Sequence, residues 1–423
     1  MFRPSVLRSA AVLFLAVVGC TDTEKKVDEL LEPPPPGKGV QYKMVTNLEP
    51  GEEDERCKFV VSPPGGLWVN FEQVRNSAGS HHIFVWKTPY AEIPTVNKRG
   101  EPVDTTDVFK CSDGVSADWD VDAVVAGGQQ ASAGQDMELL PEGVALQIPE
   151  GTVLVLFGHF LNPQDVPIEA EVRVNFFTVP RETVTTEAAI YVHYNPFIRV
   201  GAMATADARM SCPVPEDITI LGAQSHMHAR GMGLDASLVH ADGTSEPLYQ
   251  SKSWDDVPVK EWRPGQPAAK GSAIDFTCHY SNGENRVVTQ GTSSRDEMCV
   301  ITGIYYPVNM PFANCSPDGT AEKFSLAATF IGTGSATCAQ SLSCINAAKP
   351  TSQDKGDSLY GCIVNSCPKV GKQLTGAFMC LAAHGGPACN TACAAGTSTT
   401  ECKQCTQQAC QAPIGACLAA TCN

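Results

Sequence analysis

Five of the nine histidines occur in three compact settings in which imidazoles could share a metal ion. His81 and His82 are adjacent, and they stand where a polar loop enters an apolar run. His159 lies inside a second apolar run, and His226 and His228 are separated by one residue. Neutral imidazole is the commonest protein ligand of metal ions. The spacing therefore predicts metal binding by these side chains.

Strand geometry decides how such pairs can act. Successive residues of a strand point to opposite faces, so His226 and His228 would project from one face. His81 and His82 would point apart unless the strand begins there or is bulged, and the loop at residues 76–80 offers such a place. An unpaired imidazole within an apolar strand is costly, so His159 needs a hydrogen-bond partner or a metal ion.

Met298 adds a soft thioether in the motif Asp296-Glu297-Met298-Cys299. A thioether favours Cu(I), and two imidazoles with one thioether form a weak, open set suited to reduced copper. Each of these motifs alone is more often structural than metal-binding. We also expect His193 and His279 to be hydrogen-bonded structural residues. The order and combination of the motifs are what predict copper.

Short apolar runs between turn residues must position these side chains. Residues 40–335 are rich in Val, Ile, Thr, Phe and Tyr, and runs such as 152–157 and 172–177 have strand length. The pattern predicts an all-β fold of two antiparallel, jelly-roll-like β-sandwich domains, residues 40–183 and 184–335.

The composition changes near residue 336. Twelve of the nineteen cysteines lie between Cys338 and Cys422. A segment of this size has little apolar core, so six disulfides would hold short helices together in a small, mainly helical domain, residues 336–423. Zinc binding is the alternative at Cys402 and Cys405, because their spacing suits a pair of zinc ligands.

The N-terminus has the features of an export segment. Residues 1–20 join Arg3 and Arg8 to a short apolar run that ends in Cys20, as in a bacterial lipoprotein signal peptide. We expect Cys20 to carry a lipid and the Pro-rich residues 21–39 to form a tether. The protein would then be exported and lipid-anchored at the outer membrane or cell surface, facing either the periplasm or the exterior.

The net charge and the cysteine content indicate which partners and which compartment to expect. The net charge of -16 and the absence of a basic patch exclude nucleic acid as an expected partner. Eighteen cysteines remain after Cys20, and this even number indicates an oxidising compartment. Contact with a membrane is expected only through the lipid anchor.

The order of the motifs resembles that of a known enzyme family. His81-His82, Gly158-His159, His226-Met227-His228 and Asp296-Glu297-Met298-Cys299 follow one another as in the copper type II ascorbate-dependent monooxygenases. That family includes dopamine beta-hydroxylase and peptidylglycine alpha-hydroxylating monooxygenase. The resemblance extends over roughly residues 45–320.

This resemblance implies two copper ions per chain, each held by three side chains. The electron-storing site would consist of His81, His82 and His159. The catalytic site, where O2 and a C–H bond of a small organic substrate react, would consist of His226, His228 and Met298. Ascorbate or another reductant would supply electrons, and a solvent-filled cleft would separate the two coppers.

The resemblance also implies three disulfides in the sandwiches, namely Cys57–Cys111, Cys212–Cys315 and Cys278–Cys299. The last of these would restrict the backbone beside Met298. Gln224 and Thr302 stand where the amidating enzymes have an arginine that holds a peptide carboxylate and a tyrosine. A glycine-extended peptide is therefore not the expected substrate.

Two other functions are compatible with the same residues. A non-catalytic copper-binding or storage lipoprotein would use the same ligands without redox turnover. A double-sandwich protein for adhesion or glycan handling would need no metal. The substrate and the oligomeric state stay open.

Overall fold

The computed structural model describes residues 30–111, 114–129, 135–137, 139–315, 328–348 and 357–423. Cys20, the predicted signal peptide and residues 21–29 of the predicted tether lie outside these ranges. The described part is mostly β, and most of its helices lie in the C-terminal segment, as predicted. No helix within these ranges is both long enough and apolar enough to cross a membrane.

The strands and helices of the described ranges are numbered here in chain order. The strands are β1 (Gly39–Leu48), β2 (Glu53–Val61), β3 (Leu67–Asn76), β4 (Ser80–Lys87), β5 (Phe109–Lys110), β6 (Ala123–Gln129), β7 (Gln135–Met137), β8 (Val144–Ile148), β9 (Val153–Leu161), β10 (Ile168–Thr178), β11 (Thr186–Tyr194), β12 (Arg199–Val200), β13 (Ala204–Pro213), β14 (Ile218–His226), β15 (Gly231–Val239), β16 (Ser245–Gln250), β17 (Lys260–Ala268), β18 (Ala273–Asn282), β19 (Val288–Thr289), β20 (Val300–Tyr306), β21 (Asn314–Cys315) and β22 (Thr329–Ile331). The α-helices are α1 (Val115–Asp118), α2 (Met310–Ala313), α3 (Cys338–Ala347), α4 (Asp357–Val364), α5 (Gly371–Ala382), α6 (Asn390–Cys393), α7 (Thr400–Ala409) and α8 (Gln411–Ala419).

The first sandwich packs the sheet β5-β2-β9-β4-β6 against strands β1-β10-β3-β8 of a ten-stranded sheet. Side chains on alternate residues of its strands form the core. In β10, Val172, Val174 and Phe176 point inwards, whereas Glu171 and Arg173 point outwards. This period of two is the pattern that predicts a strand over 172–177.

Strand β9 is buried on both of its faces. Leu154 and Leu156 contact the core of the first sandwich, whereas Val153 and Val155 pack in a second apolar cluster with Trp119. His159 continues the Val153–Val155 face, so its ring projects away from the main core.

The second sandwich packs the sheet β16-β15-β18-β13-β22 against strands β11-β20-β14-β17 of the same ten-stranded sheet. Its core includes Ile220, Phe276 and Tyr305, and Met227 contacts that core. Alternation along the chain therefore directs His226 to the opposite face of the sheet.

The two sandwiches share one continuous sheet. β8 of the first sandwich pairs in parallel with β11 of the second, with Thr186 opposite Val144 and Ala188 opposite Leu146. This parallel pairing differs from the purely antiparallel arrangement that the sequence predicts.

The C-terminal segment contains α3–α8 and six disulfides. The pairs are Cys338–Cys417, Cys344–Cys362, Cys367–Cys422, Cys380–Cys410, Cys389–Cys405 and Cys393–Cys402. Cys402 and Cys405 are therefore disulfide-bonded, and the alternative of zinc binding at these cysteines is wrong. The segment packs on the second sandwich through Phe197, whose ring lies 4.8 Å from Phe330 and 5.5 Å from Phe378.

Candidate metal centre

The first histidine set forms where β4 pairs with β9. His82 lies opposite His159 in the register, and their ring centroids are 5.4 Å apart. The register shifts between Ser80 and His82, so β4 is bulged at His81, as the adjacent histidines predict. The bulge turns His81 to the same side as the other two, and the ligand atoms of the three imidazoles lie within 4.8 Å of one another.

The second histidine set forms at the end of β14. His226 is the last residue of that strand, and the ring of His228 lies 5.3 Å from it. His81 completes this set, because its ligand atom lies within 4.8 Å of those of His226 and His228. A single imidazole of the first sandwich thus belongs to both sets.

The solvent-filled cleft implied between the two sets is wrong for this structure. The rings of His82 and His226 lie 4.9 Å apart, which is as close as neighbours within one set. Gln129 of β6 contacts both Ser225 and His226, and these hydrogen bonds hold the first sandwich against the second beside the histidines. All five histidines therefore form one cluster.

Hydrogen bonds determine which nitrogen of each imidazole faces the cluster. His226 Nδ1 lies 3.0 Å from the Gln129 side-chain oxygen, and His228 Nδ1 lies 3.1 Å from the Asp296 carbonyl. His159 Nε2 lies 2.9 Å from a carboxylate oxygen of Glu53. Such outer partners fix the tautomer and the ring orientation of metal-ligating histidines.

Four buried nitrogens of the cluster have no hydrogen-bond partner among the described residues. They are His82 Nδ1, His159 Nδ1, His226 Nε2 and His228 Nε2. A buried polar atom without a partner costs about 1–3 kcal/mol, so this accumulation requires an explanation. A bound metal ion supplies one, because each nitrogen can direct its lone pair at the ion. The donors are borderline nitrogens that suit copper.

The histidines of the cluster are held neutral. Burial, together with the neighbouring imidazoles, lowers the pKa of His81 and of His228 to about 4. Burial and the same neighbours lower the pKa of His82 and of His226 well below the usual value. Neutral imidazoles keep the lone pairs that a metal ion needs.

Met298 lies in the loop that supports His228. Glu297 accepts hydrogen bonds from the backbone N–H groups of His228 at 3.0 Å and Arg230 at 2.8 Å. Tyr280 donates to the Met298 carbonyl at 2.8 Å, and Cys299 is bonded to Cys278. The backbone on both sides of Met298 is thus fixed, and Met298 itself stays a predicted ligand.

The three disulfides implied for the sandwiches are confirmed. They join Cys57 to Cys111, Cys212 to Cys315, and Cys278 to Cys299. His193 lies beside the second of them and is buried, with Nε2 at 2.7 Å from the Phe312 carbonyl. Because the disulfide sulfurs are not thiolates, this group is no metal site, and His193 has the predicted structural role.

Two residues that hold the cluster were not among the predicted site residues. Gln129 stands at the end of β6, and Glu53 lies within the acidic run 52–55 that resembles a solvated loop. Glu53 also accepts hydrogen bonds from the backbone and the hydroxyl of Ser294 at 2.7 and 2.9 Å. Nothing in the local sequence separates these residues from their polar neighbours.

A comparison with protein families identifies part of the chain. Residues 185–327 match the family model described as copper type II ascorbate-dependent monooxygenase, C-terminal domain. The chain resembles this copper monooxygenase family. The matched segment contains His226, His228 and Met298, whereas His81, His82 and His159 precede it. The resemblance predicted from the order of the motifs is therefore confirmed for the second sandwich.

The other similarities found for the chain do not bear on its resemblance to the copper monooxygenases. No curated protein matches the sequence of the chain. A structure of a protein from Eubacterium rectale is 13% identical, covers 64% of this chain and 70% of that chain, and has a TM-score of 0.18. A structure of infectious bursal disease virus Gx strain is 11% identical, covers 64% and 73%, and has a TM-score of 0.15.

Proposed function

We propose that the protein is a copper- and oxygen-dependent monooxygenase that hydroxylates a C–H bond of a small organic substrate. An external one-electron reductant such as ascorbate would supply the electrons. The observation that carries this proposal is the convergence of five histidines, four of whose buried nitrogens have no partner in the part of the chain that the structure describes. The match of residues 185–327 to a copper monooxygenase domain supports it.

The side chains around the cluster have distinct tasks in this proposal. Gln129 and Asp296 accept the Nδ1 protons of His226 and His228, which leaves both Nε2 atoms to bind an ion. Glu53 accepts the Nε2 proton of His159, which leaves Nδ1. Met298 would add a thioether to the second set. Copper held by these residues would supply the one-electron chemistry that activates O2 for C–H hydroxylation.

Metal analysis tests the ligand assignment. Wild type should bind two copper ions per chain, and Met298→Ala and His159→Ala should each bind one fewer. Equal copper contents in all three proteins would overturn the assignment. Oxygen uptake with ascorbate and a panel of organic substrates tests turnover in the same preparations.

Non-catalytic copper binding or storage is the second candidate. The burial of His82, His159, His226 and His228 favours it, because four of the five imidazoles have little solvent access. Stoichiometric copper binding with neither oxygen consumption nor peroxide release in the presence of ascorbate would support this candidate against the monooxygenase.

We also propose that the protein is exported and anchored through a lipid on Cys20. The nine disulfides of the described residues support an oxidising compartment. Labelling of expressing cells with a radioactive fatty acid should mark the wild-type protein and leave Cys20→Ala unmarked. Equal labelling of both proteins would contradict the anchor.

A further inference from the structure

The loop 291–297 lies between β19 and β20 and directly precedes Met298. It also carries partners of the second histidine set. The Asp296 carbonyl lies 3.1 Å from His228 Nδ1, and the Glu297 carboxylate accepts a hydrogen bond from the His228 backbone N–H at 3.0 Å. A displacement of this loop would therefore move His228 and Met298 together.

The loop 291–297 is closed on itself and anchored on the second sandwich. The Gly291 N–H donates to the Glu297 carbonyl at 3.1 Å, which joins the two ends of the loop. The Arg230 side chain donates to the Ser294 carbonyl at 2.7 Å. Because hydrogen bonds join the ends of so short a segment, a shift of Ser294 will also shift Asp296.

Glu53 of the first sandwich holds the same loop from the other side. Its two carboxylate oxygens accept hydrogen bonds from the backbone N–H and the hydroxyl of Ser294, at 2.7 and 2.9 Å. The next residue of β2, Asp54, pairs instead with Arg56 and Lys110 of its own sandwich. Successive strand residues point to opposite faces, so β2 directs Glu53 towards the second sandwich.

The carboxylate that holds the loop also holds His159 of the first set. Glu53 Oε1 accepts from His159 Nε2 at 2.9 Å and from the Ser294 N–H, so one oxygen joins a candidate ligand of one set to the loop of the other. The ring of His159 becomes a stronger N–H donor when Nδ1 binds an ion, because the ion draws electron density from the ring. Occupancy of the first set would then hold Glu53, and with it the loop, more firmly.

We propose that Glu53 is a positioning residue that couples the two histidine sets, because it ties the loop that presents His228 and Met298 to His159. An ion at the first set would favour the arrangement of the loop that completes the second set. Linkage makes this effect reciprocal, so an ion at the second set would favour binding at the first by the same factor. The role of Met298 here rests on the proposed function, whereas the chain of hydrogen bonds from His159 to His228 does not.

Copper loading of the reduced full chain tests the coupling with two readouts. X-ray absorption reports the second set by its copper–sulfur scattering, because Met298 is the one sulfur among the candidate ligands. Competition with a Cu(I) chelator measures the affinities of both sets. Glu53→Ala should reduce the copper–sulfur contribution and lower the affinity of the second set about fivefold or more.

Matched variants separate positioning from general destabilisation. Glu53→Gln retains an acceptor oxygen for His159 and Ser294 and should restore the copper–sulfur contribution and the affinity of the second set. Glu52→Ala removes the neighbouring carboxylate, which pairs within the first sandwich, and should behave as wild type. Ser294→Ala loses the hydroxyl contact and should give a smaller reduction, which keeps the test valid if Glu53→Ala does not fold.

A background without the first set tests the coupling itself. In His82→Ala, the change that Glu53→Ala causes at the second set should be smaller than in wild type, since no ion then strengthens the contact of His159 with Glu53. An equal change in both backgrounds would overturn the proposal. Unchanged readouts in Glu53→Ala, or in Ser294→Ala if only that variant folds, would overturn it as well.

The copper content of wild type separates the coupling from the proposed function. Wild type that binds two copper ions while Glu53→Ala leaves the second set unchanged refutes the coupling alone. Wild type that binds copper without copper–sulfur scattering refutes the assignment of Met298. In that case a loss of affinity at both sets in Glu53→Ala supports the coupling of His159 to His228, and a loss at one set refutes it. Wild type that binds no copper refutes the proposed function and the coupling together.

Discussion

Gln129 of the first sandwich binds His226 of the second. Its side-chain oxygen lies 3.0 Å from His226 Nδ1, and its amide nitrogen donates to the Ser225 carbonyl at 2.9 Å. In the register of the first sandwich, Gln129 also lies opposite His82. One amide thus links the strand that carries the first histidine set to the strand that carries the second.

Replacement of Gln129 should weaken the second set selectively. In Gln129→Leu, His226 loses the partner that fixes its ring, and copper affinity at this set should fall about 10–100-fold. Competition with a copper chelator measures the loss. Gln250→Leu, at an exposed glutamine on β16, is the matched control and should bind copper as wild type does. Unchanged affinity in Gln129→Leu would contradict the role of the amide.

Replacement of Glu53 should destabilise the contact between the sandwiches. Burial alone would raise the pKa of Glu53, but hydrogen bonds from Ser294 and the nearby His159 hold it below its usual value. In Glu53→Ala, His159 Nε2 and the Ser294 N–H lose their acceptor, and the free energy of unfolding should fall by about 1–3 kcal/mol.

Denaturant titration measures this change. Ser294→Ala loses only the hydroxyl contact with Glu53 and should cost about 1 kcal/mol or less. A larger loss in Ser294→Ala than in Glu53→Ala would show that the carboxylate is not the common acceptor.

His81 should affect both metal sets, since its imidazole belongs to both groups. His81→Ala should therefore lower copper affinity at both sets, whereas His82→Ala should lower it mainly at the first. Copper titrations followed by electron paramagnetic resonance distinguish the two patterns. If His81→Ala and His82→Ala lose the same single ion, His81 belongs to the first set only.

His279 should make stability weakly dependent on pH. Its two ring nitrogens lie 2.8 Å from a carboxylate oxygen of Asp207 and 3.1 Å from one of Asp235. Partial burial would lower the pKa of His279, but these carboxylates outweigh it and raise the pKa. The stabilisation is therefore complete below the unfolded-state pKa of about 6.5 and is lost as pH rises through the higher folded-state value.

His279→Gln should reveal this dependence in melting temperatures. The side chain of His279 is 36% exposed, so solvent screening limits its contribution to less than about 1 kcal/mol. The variant should melt below wild type at pH 5 and close to it at pH 9. A difference that grows with pH would contradict the assignment.

The histidine sets are predictable from the sequence because strand geometry restricts them. Adjacent His81 and His82 can share an ion only where a strand begins or is bulged, and the register shift occurs there. His159 in an apolar strand requires a partner, and Glu53 is that partner. In these cases residue type and local periodicity are enough to predict the histidine sets.

The contacts between the sandwiches are not predictable in the same way. Gln129 and Glu53 stand among polar neighbours, their histidine partners lie 97 and 106 positions away, and no periodicity relates them. The parallel pairing of β8 with β11 likewise depends on how the two sandwiches pack. The contacts of Gln129 with Ser225 and His226 lie where the two histidine sets meet, so the cluster follows from the structure and not from the motifs.

The sheet that runs through both sandwiches also has a consequence for unfolding. Separation of the sandwiches would break the β8–β11 ladder and uncover the apolar cluster that contains Leu140, Val144, Leu221 and Ile304. Neither sandwich can then unfold without leaving an unpaired strand edge on the other. Scanning calorimetry should accordingly record a single endotherm for the two sandwiches, in which both histidine sets are lost at one temperature.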